Sequence, residues 1–471
     1  MTTKSYTTEL EQFRQQLYRN FNNRADVLLE LVDALCSFPE AQSTVELSLA
    51  PCFRRGHASL YAAIADYQWS DEDLSHLAAP YVPRPKERPF WLMGTDVTPL
   101  PRPFAATLDD RGMVYQPNMV KGNKPVAVGH QYSTTALLPE AESGISPSWL
   151  VPLATERVKS TADKEMVGSQ HMDRLLRDPV LPWHQELVVE VVDSSYSKRP
   201  YLCANRQHAN LVTICRVANN RTFYRSAAPP PKAGNPVGHP TWYGESFCLP
   251  DPATWPTPDE TAVTHHRSRR GHVYRVEIEA WQNLLMTGKQ TPVVLPMHQQ
   301  PFTLLRIVLI DPETNQPAFK RPLWLIIMGQ RRAEVSLLAA RRAYAQRYDL
   351  EHFFRFGTQN LLLNEFQTPE GEHEVAWWHL VHIAYLQFWV GRHLANSLPR
   401  PWERNLPEMK AAVISPTLAQ RDWRRIIRQL GTPAQPPKPR GNATGWPRGR
   451  QRKRRERRPV VVKGQLKANS P

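Results

Sequence analysis

The chain has 471 residues and carries 59 Lys plus Arg against 44 Asp plus Glu, a formal charge of +15. That length supports about two to four domains, and 41% apolar residues set it apart from a disordered polyelectrolyte. No run of about 18 apolar residues occurs, which argues against a membrane span, and the polar start MTTKSYTTELEQF has neither secretory nor Arg-rich transit character, so a cytoplasmic location is expected.

Residues 1–88 read as a helical N-terminal domain. Leu10, Phe13, Leu17 and Phe21 recur at helical spacing, Val27 to Leu35 is a second apolar run, and residues 53–67 predict a third helix carrying Arg54 and Arg55. Basic residues at a helix start suit a DNA-binding head, although a plain helical bundle fits the pattern equally. From Pro89 the pattern turns to strands. FWLMGTDV (90–97) is apolar and ends near Asp96, and GMVYQPNMV and PVAVGHQYS follow as strand-like stretches about Lys121 to Lys124. A helix is predicted over 163–178. LVVEVVD (187–193) is apolar at nearly every position, as in a strand covered on both faces, and ends in Asp193. A helix candidate over Arg199 to Asn210 leads to the strand LVTICRV (211–217).

Residues 219–318 are proline-rich in APPPKAGNPVGHP and LPDPATWPTPDE, with strand-like HVYRVEIEAW and TLLRIVLID between, and read as a β-rich insertion. The apolar strand PLWLIIMG (322–329) resumes the core. One long helix is predicted from about Glu334 to Gly357 and a second over 375–395, whose Trp and Tyr content reads as core. The expected divisions are thus 1–88, 89–218 and 319–400 for the core, 219–318 for the insertion, 401–432 for a C-terminal helical segment, and 433–471 for a tail. The tail holds twelve Lys or Arg and one acid, +11, which leaves +4 of the +15 for residues 1–432. Its Pro, Gly and Arg content predicts a disordered basic arm that attracts phosphate backbones, or a solvated tail that only aids solubility.

Five scattered cysteines without a CxxC pair read as reduced, mostly buried thiols, and the histidine pairs His265/His266 and His379/His382 do not suggest a metal site. The acids are more informative. Carboxylates at the ends of apolar strands are costly to bury unless paired or holding a cation, and Mg²⁺ takes oxygen ligands with one or two carboxylates per ion. Asp96, Asp193 and Glu351 form such a set. Any one of them alone would read as a strand cap or turn residue.

RRAYAQRYDLEHFFRFGTQ (341–359) resembles the Tyr, two residues, Arg, three residues, Glu signature of bacterial DDE transposases of the IS4 superfamily, with Tyr344, Arg347 and Glu351 in register. TDVTPLPRP around Asp96 and VEVVDSSYSKRP around Asp193 are similar to the first and second acid strands of that family. IIRQLGTPAQPPKPRG before the basic tail is similar to the IS701-like branch. The resemblance implies an α/β fold: an RNase H-like mixed five-stranded sheet flanked by helices. In it Asp96, Asp193 and Glu351 hold two Mg²⁺ ions, with Mn²⁺ as a substitute, to cleave DNA at transposon ends and transfer strands. The partners implied are double-stranded DNA, as terminal inverted repeats and target, and a second copy of the chain in a synaptic homodimer, nucleoid-associated when bound to DNA. DNA contacts are expected from Tyr344, Arg347, Arg355, Thr358, Arg452, Lys453, Arg454 and Arg455. The family signature has Lys where this chain has Thr358, for which Arg355 is a candidate substitute. That departure keeps open a catalytically impaired, transposase-derived DNA-binding protein, and Arg347 could instead pair with Glu351 along the helix. A two-carboxylate glycosidase would leave the basic tail unexplained.

Overall fold

A computed structural model describes residues 3–69, 71–116, 126–140, 149–227, 242–268, 271–288, 296–397, 414–439, 449 and 454–462. In chain order the elements are α1 (Thr3–Asn20), α2 (Ala25–Ser37), α3 (His57–Ala65), α4 (Asp71–Ala78), β1 (Trp91–Pro101), β2 (Gly112–Tyr115), β3 (Val126–Leu137), β4 (Val151–Val158), α5 (Lys164–Arg177), β5 (Val188–Val192), α6 (Arg199–Arg206) and β6 (Leu211–Arg216). There follow β7 (Thr222–Ser226), β8 (Tyr243–Cys248), β9 (Glu260–Arg267), β10 (Val273–Leu284), β11 (Phe302–Ile310), β12 (Leu323–Gly329), α7 (Leu337–Gln346), α8 (Tyr348–Asn360), α9 (Gly371–Gly391), α10 (Leu394–Ser397) and α11 (Pro416–Leu430). The chain forms two compact units: Met1–Pro83, Val97–Lys164 and Asp349–Pro471 build one, and Arg84–Asp96 with Glu165–Tyr348 build the other.

The second unit holds a large mixed sheet in the order β1-β5-β6-β12-β11-β10-β9. Its first three strands are parallel and the remaining pairings antiparallel. Every residue of β5 is buried, its four valines and the Glu190 between them alike, with α6 against β6 and α7 against β5. The expected count of five strands is exceeded in this unit alone. β10 alternates buried and more exposed positions and pairs with β11, which pairs with β12, so strands of segment 219–318 continue the core sheet. Aromatic packing reinforces this region: Phe247 meets Trp281 at 5.0 Å and Trp255 meets Trp324 at 5.2 Å between ring centroids. Part of the proline-rich stretch, residues 228–241, lies outside the described residues, as do Lys121 to Lys124.

The first unit is organised about α9, which is buried from Ala376 to Gly391 and therefore apolar all round. Helices α1, α2, α3 and α11 and strand β4 pack on it. Arg14 of α1 is buried and donates to both carboxylate oxygens of Asp33 on α2 and, at 3.1 Å, to Gln387 of α9. β3 pairs with β2 and β4, with the second half of β1 beside it. A second buried polar knot joins these strands to α9: Glu374 accepts from His130 at 2.6 Å, Tyr132 at 2.9 Å and Arg102 at 3.0 Å. Burial alone would raise the Glu374 carboxyl, but His130, Arg102 and Tyr132 hold it below the usual carboxylate range.

Several elements differ from expectation. The third helix starts at His57, so Arg54 and Arg55 precede it. Both bind the buried Glu30 carboxylate, at 2.6 and 2.5 Å, and both donate to the Gln435 carbonyl. These arginines tie the segment after α11 to α2. The single long helix expected over 334–357 is divided at Arg347, whose N–H bonds back three residues to the Tyr344 carbonyl at 3.2 Å and tightens the turn. Residues 454–462 are not a loose arm. Arg458 N–H donates to the Ala106 carbonyl, Val461 N–H donates to that of Arg111, both at 2.8 Å, and Val461 forms a parallel bridge with Gly112. The five cysteines form no disulfide, and Cys36, Cys203 and Cys215 are buried. Among the described residues no helix is long and apolar enough to cross a membrane.

Candidate active site

The apolar runs that end in acids become adjacent parallel strands. β1 pairs with β5 in the register Trp91 with Val188 through Gly94 with Val191. The pairing ends at Gly94 with Val191, two residues before Asp96 on one strand and two before Asp193 on the other. β5 pairs with β6 through Val192 and Cys215. Asp193 and Arg216 each follow that last pair by one residue, and Arg216 is exposed at the end of β6. Asp193 and Arg216 lie at the C-terminal ends of β5 and β6, where open α/β sheets bind ligands, and Asp96 lies within β1 just past its pairing with β5.

Each acid is held differently. Asp193 caps a 3₁₀ turn at Ser194–Tyr196, its Oδ1 accepting from the Ser195 N–H at 2.8 Å and the Ser195 hydroxyl at 2.7 Å. Asp96 is paired with Arg347 at 3.4 Å, and this guanidinium also lies 5.9 Å from the centre of the Tyr344 ring. Tyr344 is mostly buried, which pushes its hydroxyl up, while Arg347 and Arg216 pull it back. The signature residues Tyr344 and Arg347 thus come together with Asp96 in one unit. Glu351 lies half-buried in the first turn of α8, in the other unit, where the helix N-terminus favours a carboxylate. Arg355 and Thr358 are exposed further along α8. Of the tail residues, Arg454 and Arg455 are exposed, and Arg455 pairs with Glu370, whereas Arg452 and Lys453 lie outside the described residues.

Beneath the acids sits a buried group that sequence reasoning missed. Glu190, in the middle of β5, accepts from the Thr95 hydroxyl, the Tyr201 hydroxyl and the Asn205 amide, each at 2.7 Å. Complete burial raises this carboxyl to about 7, against the opposing pull of those hydrogen bonds. Thr95 immediately precedes Asp96, so the contact fixes the middle of β1. Gly168 on α5 makes room for it: a Cβ there would meet Thr95 Cγ2 at 2.8 Å. The only hint in the sequence is one acid within VVEVV. Arg216 was missed as well, and its hint is a cation ending the apolar run LVTIC.

The donor set fits a hard divalent cation in chemistry. Asp96 and Asp193 offer carboxylate oxygens without sulfur or imidazole, and Asp96 is about one-fifth exposed. The buried Tyr196 hydroxyl makes no hydrogen bond among the described residues, and the Asp96 and Asp193 charges, after burial, push its ionisation up. Among the described residues no three His, Cys, Asp or Glu group closely enough to hold a metal.

Comparison with known proteins bears on this arrangement. No curated protein matches the chain. The family described as DDE superfamily endonuclease matches residues 16–282, more than half of the chain, taking in Asp96, Asp193, Glu190 and Arg216 and ending before Glu351. By that match the chain belongs to the DDE superfamily endonucleases.

Proposed function

We propose that the protein is a DNA transposase of the IS4 superfamily, IS701-like branch, that cleaves transposon ends and joins them to target DNA. The observation carrying this reading is the family match over a span that holds Asp96 and Asp193, each two residues beyond the last β1–β5 pair. The parallel order β1-β5-β6 around those acids supports an RNase H-like core. In this reading Asp96, Asp193 and Glu351 hold two Mg²⁺ ions, for which Mn²⁺ substitutes. Bound there, the ions supply an activated water and neutralise charge on the scissile phosphate.

The chain's own residues do the positioning. Ser195 fixes the Asp193 carboxylate and leaves its second oxygen to point elsewhere, and the Thr95 contact with Glu190 fixes the backbone that carries Asp96. Arg347 neutralises Asp96 in this state and, with Arg216, supplies the cations that orient a DNA phosphate for in-line attack. Tyr344 stacks near Arg347 and shapes its approach. Arg355 and Thr358 extend the contact surface along α8, and Arg355 offers the charge that Thr358 lacks. The tail arginines, Arg452 to Arg455 with Lys453 among them, add backbone attraction, and a homodimer pairs the two ends.

The test is cleavage of a duplex bearing the terminal repeats that flank the gene, with Mg²⁺. Asp96→Ala, Asp193→Ala and Glu351→Ala are each expected to lower the cleavage rate at least about 100-fold while leaving Mg²⁺-free DNA binding in place. Binding without cleavage by the unmodified protein would instead establish the DNA-binding derivative.

A further inference from the structure

We propose that residues 454–462 form a docked strap whose arginines act as a fixed rail for the DNA phosphate backbone, in place of a freely searching arm. The inference rests on the DNA-acting reading above and adds where, and in what state, the tail engages.

Anchoring comes from the main chain. The Arg458 and Val461 N–H groups donate to the carbonyls of Ala106 and Arg111, and the Arg111 guanidinium, itself buried, donates to the Arg102 carbonyl at 3.1 Å and the Arg458 carbonyl at 3.4 Å. Arg455 is held by Glu370, the residue before α9. All of these partners belong to the first unit. The anchored backbone leaves Arg454, Arg455, Arg457 and Arg458 exposed, with Glu456 as the one acid among them. Five consecutive residues reach at most about 14 Å between the first and last Cα. Along that length one strand of B-DNA carries about four phosphates. Charge and reach therefore match a duplex backbone, and a mount fixed before binding lowers the ordering cost that a loose arm would meet on contact.

A charge-neutral change separates rail from arm. Val461→Pro removes the N–H that reaches Arg111 and alters no charge. Binding of the full-length protein to a 30-base-pair duplex of arbitrary sequence, a length of roughly 100 Å at 3.4 Å per pair, is measured by fluorescence anisotropy across a salt series. Arg454→Ala/Arg457→Ala keeps every main-chain anchor and is expected to flatten the slope of log affinity against log salt by about 1.8. Val461→Pro is expected to weaken binding about fivefold or more with an unchanged thermal midpoint, and to lose hydrogen-exchange protection at the Arg458 amide. If the unmodified protein shows no protection there, or Val461→Pro binds as tightly as the unmodified protein, the rail is overturned while the nuclease reading stands. If the unmodified protein does not bind the duplex, both fall.

Discussion

Glu190 shows how much of the site's chemistry rests on one buried proton. Its carboxyl, raised to about 7 by complete burial, stays protonated in the folded chain well above the pH at which an unfolded glutamate ionises. The folded state binds the extra proton. The associated stability is therefore full below about pH 4.5 and declines as pH rises to about 7, by on the order of 3 kcal/mol. Glu190→Gln keeps an acceptor for Thr95 and Tyr201, but its amide nitrogen faces the Asn205 amide, a donor against a donor. We expect the variant to lose this pH dependence, so that unfolding in urea at pH 5 and pH 8 differs less than in the parent. An undiminished difference would assign the slope to other groups. None of this was legible in the sequence, because VVEVV states that the strand is buried and not what meets its acid. Asp193 was legible as a strand end, whereas Asp96 lies within β1, which runs on to Pro101, and the β1 to β5 pairing joins residues nearly a hundred positions apart.

At the scale of elements, legibility followed apolar continuity. β5, β6, β11 and β12 are runs with few polar interruptions, and α5 and α9 keep clear limits, so composition alone located them. β9 carries ETAVTHHR with no buried position and forms only because β10 supplies its ladder partners, a dependence that local pattern does not reveal. Arg54 and Arg55 misled for the converse reason: a basic pair invites a DNA contact, yet a buried glutamate on α2 claims both. The α1 to α2 to α9 junction is a comparable case. Removing Asp33 would leave Arg14 buried beside Gln387 without its counter-ion, and Asp33→Ala is expected to cost about 3–5 kcal/mol in denaturant unfolding. A loss below about 1 kcal/mol would show that water or Gln387 satisfies the guanidinium.

Over the whole molecule, the opening charge of +15 resolves into a nearly balanced body and a basic end, part of which is seated on the body. The first unit also draws on three separated stretches of chain, the last beginning at Asp349. A protein ended after Gln346 keeps α1 and α2 but lacks α9, the helix that covers their apolar faces. Such a truncation is expected to bind a hydrophobic dye and to pellet on centrifugation, where the full chain does neither. A soluble, dye-silent fragment would show that α1 to α4 close on their own.

That interleaving has a consequence for synthesis. α9 begins 334 residues after α2 ends, from Ser37 to Gly371. At about 5–20 residues per second the ribosome takes roughly 15–70 s to deliver it. Through that interval the faces that α1 and α2 turn to α9 stay uncovered. A nascent or prematurely terminated chain therefore carries β1, β5 and β6 without a closed helical unit. The first unit therefore closes only once translation has entered its last quarter.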